Sequence, residues 1–139
     1  MKLTDSELNA LSGKIIGACI EVHRHLRPGL LESVYMECLC CELDHRELSF
    51  EREVIIPITY KELSIISRLR ADLIVENSVI LELKSVNNIL PIYEAQLMSY
   101  LKLTNKQLGL LINFNVPLLK DGITRLRCMN NMKDPAQHT

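Results

Sequence analysis

Two acidic residues and a lysine lie in apolar segments where charged side chains are unusual. Asp72 falls within Arg70–Val75, and Glu82 and Lys84 both fall within Val79–Lys84. Successive side chains of a strand point to opposite faces, so Glu82 and Lys84, two residues apart, share one face. A buried carboxylate is costly unless it is paired, protonated or bound to a metal. The two acids therefore need a common explanation.

The turn between these two segments decides whether the acids meet. If residues 76–78 form a three-residue loop, the hairpin places Asp72 opposite Glu82. A two-residue loop, 77–78, would instead place Asp72 opposite Leu83 and separate the acids. We predict the three-residue loop or an equivalent bulge.

Two carboxylates beside a lysine suit the metal-assisted hydrolysis of a phosphodiester. Asp72 and Glu82, with the main-chain carbonyl of Leu83 as a further ligand, offer the oxygen atoms that Mg²⁺ or Mn²⁺ prefers. Such an ion lowers the pKa of bound water and neutralises charge on a phosphate. Lys84 would position or deprotonate that water, or stabilise the pentacovalent anion.

Three further side chains are candidates to support this site. Glu32 lies in the first turn of a predicted helix, where an acid interacts favourably with the helix dipole. Its spacing from Tyr35 also places it beside apolar surface, which favours a role as metal ligand or as a neighbour that orients one. Gln96 and Tyr100, one helical turn apart, form either a half-buried polar pair or a site contact in which Tyr100 supports Gln96.

A buried ion pair is the competing explanation for these charges. Asp72 or Glu82 could pair with Lys84, but two acids against one base leave one acid unpaired unless Arg70 joins them. We therefore favour the metal site. Arg70 is then expected to contact phosphate, because it is close to Asp72 in sequence.

The elements that would position these residues follow from periodicity and turn signals. A capping box begins the first helix, and a helix before the last long apolar strand would connect two parallel strands. The predicted helices are 5–25, 31–46 and 92–103, and the predicted strands are 50–60, 63–69, 70–75, 79–84, 108–114 and 123–127. This order predicts an α/β fold, a mixed sheet with helices packed on it.

Composition limits the class of protein. The 139 residues suggest one domain, 1–129, followed by a disordered tail, 130–139. The net charge of −1 gives no global basic field, and no apolar run approaches a membrane span. Five cysteines, an odd number with three crowded at 38–41, indicate a reducing cytoplasm. The sequence leaves homo-oligomer formation open.

The spacing of Asp72 and Glu82-Leu83-Lys84 resembles the signature of the PD-(D/E)xK nuclease superfamily. More narrowly, residues 29–35 match GxxExxY, the motif of a small bacterial family in that superfamily, and Gln96-x-x-x-Tyr100 follows downstream. The resemblance covers about residues 10–127.

What the resemblance implies is a restriction-endonuclease-like αβββαβ core, with the site at the edge of the sheet and nucleic acid, DNA or RNA, as the partner. Two positions depart from it, because Ala71 stands where the superfamily has proline and Tyr93 where many relatives have histidine.

The favoured interpretation is a metal-dependent nuclease. The alternative is a non-catalytic module that binds nucleic acid or protein and retains the nuclease fold; small size, near-neutral charge and the lack of a visible DNA-recognition element favour it. A plain structural protein with a buried salt-bridge network is a third interpretation.

Overall fold

The computed structural model describes residues 2–129, so the predicted tail from Asn130 lies outside the described residues. Three helices, a short 3₁₀ helix and seven strands make up this part of the chain. In chain order they are α1 (Asp5–Leu26), α2 (Glu32–His45), β1 (Phe50–Ile55), β2 (Ile58–Tyr60), β3 (Leu63–Ile65), β4 (Arg70–Val75), β5 (Val79–Lys84), α3 (Pro91–Thr104), β6 (Leu108–Asn113), the 3₁₀ helix (Leu119–Gly122) and β7 (Ile123–Arg127).

The central sheet contains five strands in the order β1-β4-β5-β6-β7. The pairs β1–β4, β4–β5 and β6–β7 are antiparallel, whereas β5 and β6 are parallel. Parallel neighbours require a crossover, and α3 supplies it. This arrangement confirms the predicted mixed sheet flanked by helices.

The helices begin and end where local sequence signals place them. The hydroxyl of Thr4 accepts the N–H of Glu7 at 3.1 Å, and the Glu7 carboxylate accepts the N–H of Thr4 at 2.8 Å, which completes the predicted capping box. Pro91 occupies the first turn of α3, where its missing N–H has no cost. Five of the six predicted helix termini differ from the observed ones by one residue, and the sixth agrees.

Apolar side chains cover both faces of the sheet. On one face, α1 and α2 pack against alternate residues of β4, β5 and β6, among them Leu73, Leu81 and Leu110. On the other face, α3 packs against Ile74, Ile80 and other residues of the sheet. Every residue of β6 is buried, as expected of a strand covered on both sides.

The segment 50–69 differs from its prediction. We expected two strands, 50–60 and 63–69, but the first divides near Pro57, which cannot donate a ladder hydrogen bond. Residues beyond it form β2 and β3, a separate two-stranded hairpin. The hairpin exposes large apolar side chains, and Ile66 just after it is 99% exposed.

The lengths of the helices and the state of the cysteines bear on the class of protein. No helix within residues 2–129 is long and apolar enough to cross a membrane. All five cysteines lie in that range, and each is a free thiol there.

Candidate active site

The β4–β5 hairpin has the predicted register. Val75 pairs with Val79 and Leu73 with Leu81, so the connecting loop is residues 76–78. Glu76 and Asn77 have φ values of 52° and 53°, a conformation in which a tight turn can close. The same register, continued by one residue, sets Asp72 opposite Glu82, and the two-residue loop that would have separated them does not form.

At the open end of the hairpin, the carboxylates of Asp72 and Glu82 accept main-chain N–H groups in place of the carbonyls of a regular ladder. Backbone pairing ends at Leu73 and Leu81. Beyond that pair, the N–H of Asp72 donates to Oε2 of Glu82 at 2.8 Å, and the N–H of Leu83 donates to Oδ2 of Asp72 at 2.7 Å. The other oxygen of each carboxylate accepts no hydrogen bond from residues 2–129. The two acids are therefore held together with one free oxygen each.

The main-chain carbonyl of Leu83 points to the side of β5 on which Asp72 lies. The carbonyl of Lys84 accepts the N–H of Phe114 at 2.9 Å, on the β6 side of β5. Carbonyls of successive residues in a strand point to opposite sides, so that of Leu83 points toward β4, beyond the last backbone pair. It lies on the side where the N–H of Leu83 meets Asp72.

This oxygen set is consistent with a divalent cation. Two carboxylate oxygens and a carbonyl are hard ligands of the kind that Mg²⁺ or Mn²⁺ takes, with water completing the coordination. No group of three His, Cys, Asp or Glu side chains within residues 2–129 could hold a metal by itself. A cation at this position would therefore depend on the Leu83 carbonyl as well as the two acids.

The site lies at the end of two interior strands. β4 begins and β5 ends there, and these are the second and third strands of the five. The resemblance implied a site at the edge of the sheet; in the structure, neither edge strand carries the two acids or Lys84.

Burial makes both acids hard to ionise, and the Asp72 carboxylate adds to this effect at Glu82. Burial, and then the neighbouring Asp72 carboxylate, raise the pKa of Glu82 to about 8, against opposing effects of the Asp72 N–H and Lys84. Burial likewise raises the pKa of Asp72, although the Leu83 N–H and Lys84 lower it. Two carboxylates this close favour retention of a proton unless a cation compensates their charge.

Lys84 is near the acids but does not pair with them. Its charge lowers the pKa of Asp72, Glu82 and Glu32. Its Nζ instead lies 4.4 Å from the centroid of the Tyr93 ring, and it forms no ion pair within residues 2–129. The described part of the chain thus lacks the buried salt bridge that competed with the metal site.

Glu32 is the first residue of α2 and lies close enough to interact with the acids. Burial and then the Asp72 carboxylate raise its pKa, while Lys84 lowers it. The helix dipole explains an acid at this position but not its interaction with Asp72. Glu32, although exposed, therefore lies near Asp72, and its role at the site stays a prediction.

The residues around Glu32 hold the start of α2 in place. The Tyr35 hydroxyl donates to the carbonyl of Arg27 at 2.6 Å and accepts the N–H of Leu30 at 3.2 Å. The Tyr35 ring stacks on Phe114 with centroids 4.5 Å apart. Gly29 has a φ of 108°, which residues with a Cβ rarely adopt. The GxxExxY residues thus form a turn, an acid whose charge interacts with Asp72 and a tyrosine that fixes the turn.

Helix α3 brings one of its two predicted residues to the acids. Tyr100 is 3% exposed, and burial, followed by the charges of Glu82 and Asp72, raises its pKa. Gln96, one turn earlier, is exposed, and its side chain makes no hydrogen bond within residues 2–129. Arg70 is also exposed and forms no ion pair with Asp72.

Sequence reasoning missed three residues near the site. Tyr93, which departs from the superfamily pattern, lies two helical turns before Tyr100 and so on the same face. Glu53 lies between the residues that pair with Leu73 and Ala71, hence opposite Asp72, whose pKa it raises. No local signal identified Glu53, because the β1–β4 register depends on pairing across the hairpin β2–β3.

Asn113 is the third residue that was missed, and the sequence contained a signal for it. It is the one side chain with hydrogen-bonding groups in the apolar run 108–114, and it is 3% exposed. Its Oδ1 accepts the N–H of Val86 at 3.1 Å, and its Nδ2 donates to the Val86 carbonyl at 2.9 Å. Asn113 therefore fixes the loop that follows Lys84.

Comparison with known proteins gives one match. A family model described as the PD-(D/E)XK nuclease superfamily matches residues 9–126. Searches of the curated proteins and of the solved structures each found no significant match. The matched region extends from α1 into β7 and contains Asp72, Glu82 and Lys84. Because the match covers most of the chain, this protein belongs to the PD-(D/E)XK nuclease superfamily.

Proposed function

We propose that this protein is a metal-dependent nuclease that hydrolyses phosphodiester bonds of nucleic acid. Asp72, Glu82 and the Leu83 carbonyl would hold Mg²⁺ or Mn²⁺, which when bound supplies an acidified water and neutralises phosphate charge. The observation that carries the proposal is the pair of crossed hydrogen bonds between the two acids and the main chain. These bonds use one oxygen of each carboxylate and leave the other available.

The role of the two acids depends on their fixed positions. Main-chain N–H groups orient both carboxylates in the absence of any ligand, so little side-chain entropy is lost on binding. Glu82, with a pKa of about 8, retains a proton over much of the neutral range when no cation is present. The free carboxylates would otherwise repel each other at close range.

Lys84 is assigned to the reacting phosphate. An ammonium group has three N–H donors, and none is used in an ion pair within residues 2–129. Directed at the phosphate, these donors would position the attacking water or stabilise the negative charge that develops in the transition state.

The remaining residues are assigned supporting roles. Glu32 would orient a ligand of the metal, and Tyr35 fixes the turn at 27–30 that precedes it. Gln96 and Arg70, both exposed, would contact the nucleic-acid backbone, with Tyr100 supporting the helix face behind Gln96.

A narrower assignment rests on the same residues. We assign the chain to the bacterial GxxExxY family, because Gly29, Glu32 and Tyr35 each have a structural role that fits the motif. Five free cysteines support a reducing, cytoplasmic location.

A binding module that retains the fold without the chemistry is the second candidate. The exposed hairpin β2–β3 favours it, since Tyr60 and Leu63 are 60% and 64% exposed. Exposed apolar patches commonly mark surfaces that contact another protein.

A cleavage assay separates the two candidates. Single- and double-stranded DNA and RNA are incubated with the purified protein and Mn²⁺, with Lys84→Ala and Asp72→Asn as variants and EDTA as a control. We expect the wild type to cleave at least one substrate much faster than either variant, and to cleave none in EDTA. If the wild type cleaves no substrate faster than the variants, the nuclease proposal is wrong, and binding retained in that experiment would favour the module.

A further inference from the structure

Tyr93 is held in a fixed position at the start of α3. It is half-buried and packs with the apolar residues between α3 and the sheet. Its N–H donates to the carbonyl of Leu90 at 3.0 Å, and Pro91 restricts the backbone at the first position of the helix. The Tyr93 ring is therefore constrained by its own backbone and by its packing.

The Lys84 ammonium lies near two kinds of group that attract a cation. It is close to three carboxylates, since its charge lowers the pKa of Asp72, Glu82 and Glu32. A flexible lysine in such a position would be expected to pair with one of them. Its Nζ lies instead over the Tyr93 ring, 4.4 Å from the centroid, where the ring quadrupole attracts a cation.

We propose that Tyr93 is a positioning residue, which holds the Lys84 ammonium on its ring and so prevents it from pairing with Asp72 or Glu82. Both carboxylates then remain free for a divalent cation, and the ammonium remains free for phosphate. The inference rests on the proposed metal site but not on cleavage.

The test measures metal binding without nucleic acid. Calorimetric titration with Mn²⁺ is made on the wild type, Tyr93→Phe, Tyr93→Leu, Lys84→Ala and the double variant Tyr93→Leu/Lys84→Ala. Tyr93→Phe keeps the ring face and should bind Mn²⁺ like the wild type. Tyr93→Leu should bind it roughly two- to thirtyfold more weakly, the factor that corresponds to loss of a cation–π contact.

The double variant distinguishes positioning from a structural effect. Once Lys84 is absent, no ammonium competes for the carboxylates, so Tyr93→Leu should no longer weaken binding. Equal weakening in both backgrounds would mean that Tyr93 supports the site only by packing, and no weakening in either would remove its role altogether. Thermal melts of each variant report whether the fold is retained.

A second measurement tests the placement of Lys84 without any metal. A methylene group over a ring face is shielded, so the Hε protons of Lys84 should move upfield in the NMR spectrum of the wild type and of Tyr93→Phe. The shift should disappear in Tyr93→Leu. Unshifted Hε protons in the wild type would overturn the inference even if Mn²⁺ binds and nucleic acid is cleaved. Conversely, a shifted signal with the expected Mn²⁺ affinities, but without cleavage, would leave the inference standing and reject the nuclease.

Discussion

The main-chain N–H of Asp72 lies 2.8 Å from Oε2 of Glu82, so the backbone of one acid holds the carboxylate of the other. The reciprocal contact is displaced by one residue, because the Asp72 carboxylate accepts from Leu83 and not from Glu82. The two acids are therefore coupled through the strands as well as through their charges. A change at either residue should affect the other.

Metal ions should stabilise the folded protein through this pair. An ion that binds only the folded state adds about 2.7 kcal/mol when its concentration is a hundredfold above Kd. We expect Mn²⁺ to raise the Tm of the wild type in a concentration-dependent manner, and to leave that of Asp72→Asn unchanged. Differential scanning fluorimetry over a range of Mn²⁺ concentrations provides the measurement. A Tm that does not respond in either protein would argue against the metal site.

The stability of the metal-free protein should fall as the pH rises. Glu82 has a folded-state pKa of about 8 against an ordinary value of 4.5, so the folded state binds its proton more tightly than the unfolded state does. Its stabilising contribution is fully present below about pH 4.5 and is lost as the pH rises through about 8. The raised pKa values of Asp72 and Glu32 act in the same direction.

Urea denaturation in EDTA, repeated at intervals between about pH 5 and about pH 9, should show that the free energy of unfolding of the wild type declines. Glu82→Gln, which is neutral at every pH, should show a much smaller decline. A wild type whose free energy of unfolding rises across that range would contradict the assignment of Glu82 as the group that retains a proton.

Lys84→Ala should separate binding from catalysis. Because lysine is not a ligand of the cation, we expect Mn²⁺ affinity to be retained while cleavage falls roughly a hundredfold to ten-thousandfold. Asp72→Ala should lose both properties together. The kcat of cleavage and the calorimetric Kd are measured on the same preparations, and a Lys84→Ala protein with wild-type kcat would exclude the lysine from the reaction.

Tyr35→Phe tests whether the turn before α2 positions Glu32. The change removes the hydroxyl that accepts the N–H of Leu30 and donates to the carbonyl of Arg27, and each lost hydrogen bond should cost about 0.5–1.5 kcal/mol. We expect a lower free energy of unfolding and slower cleavage. Tyr60→Phe is the matched control, since Tyr60 is 60% exposed and should change neither property measurably.

Local rules determine much of the site. The limits of β4 and β5 agree with their predictions, because alternation of side chains and a three-residue turn set both the faces and the register. Asp72 and Glu82 meet as a direct consequence, since they are only ten residues apart on one hairpin. The crossover of α3 likewise follows from the order of elements, and so the mixed sheet could be predicted from the sequence.

The surroundings of those acids depend on contacts between distant elements. Nothing near Lys84 in the sequence indicates that Tyr93 lies beneath its ammonium, or that Glu53 faces Asp72 from β1. These contacts depend on how α3 crosses the sheet and on how β1 pairs after the chain has formed a separate hairpin beyond Pro57. Alternation and turn length specify which residues share a face of one hairpin, whereas packing of the whole core decides which side chains of other elements reach it.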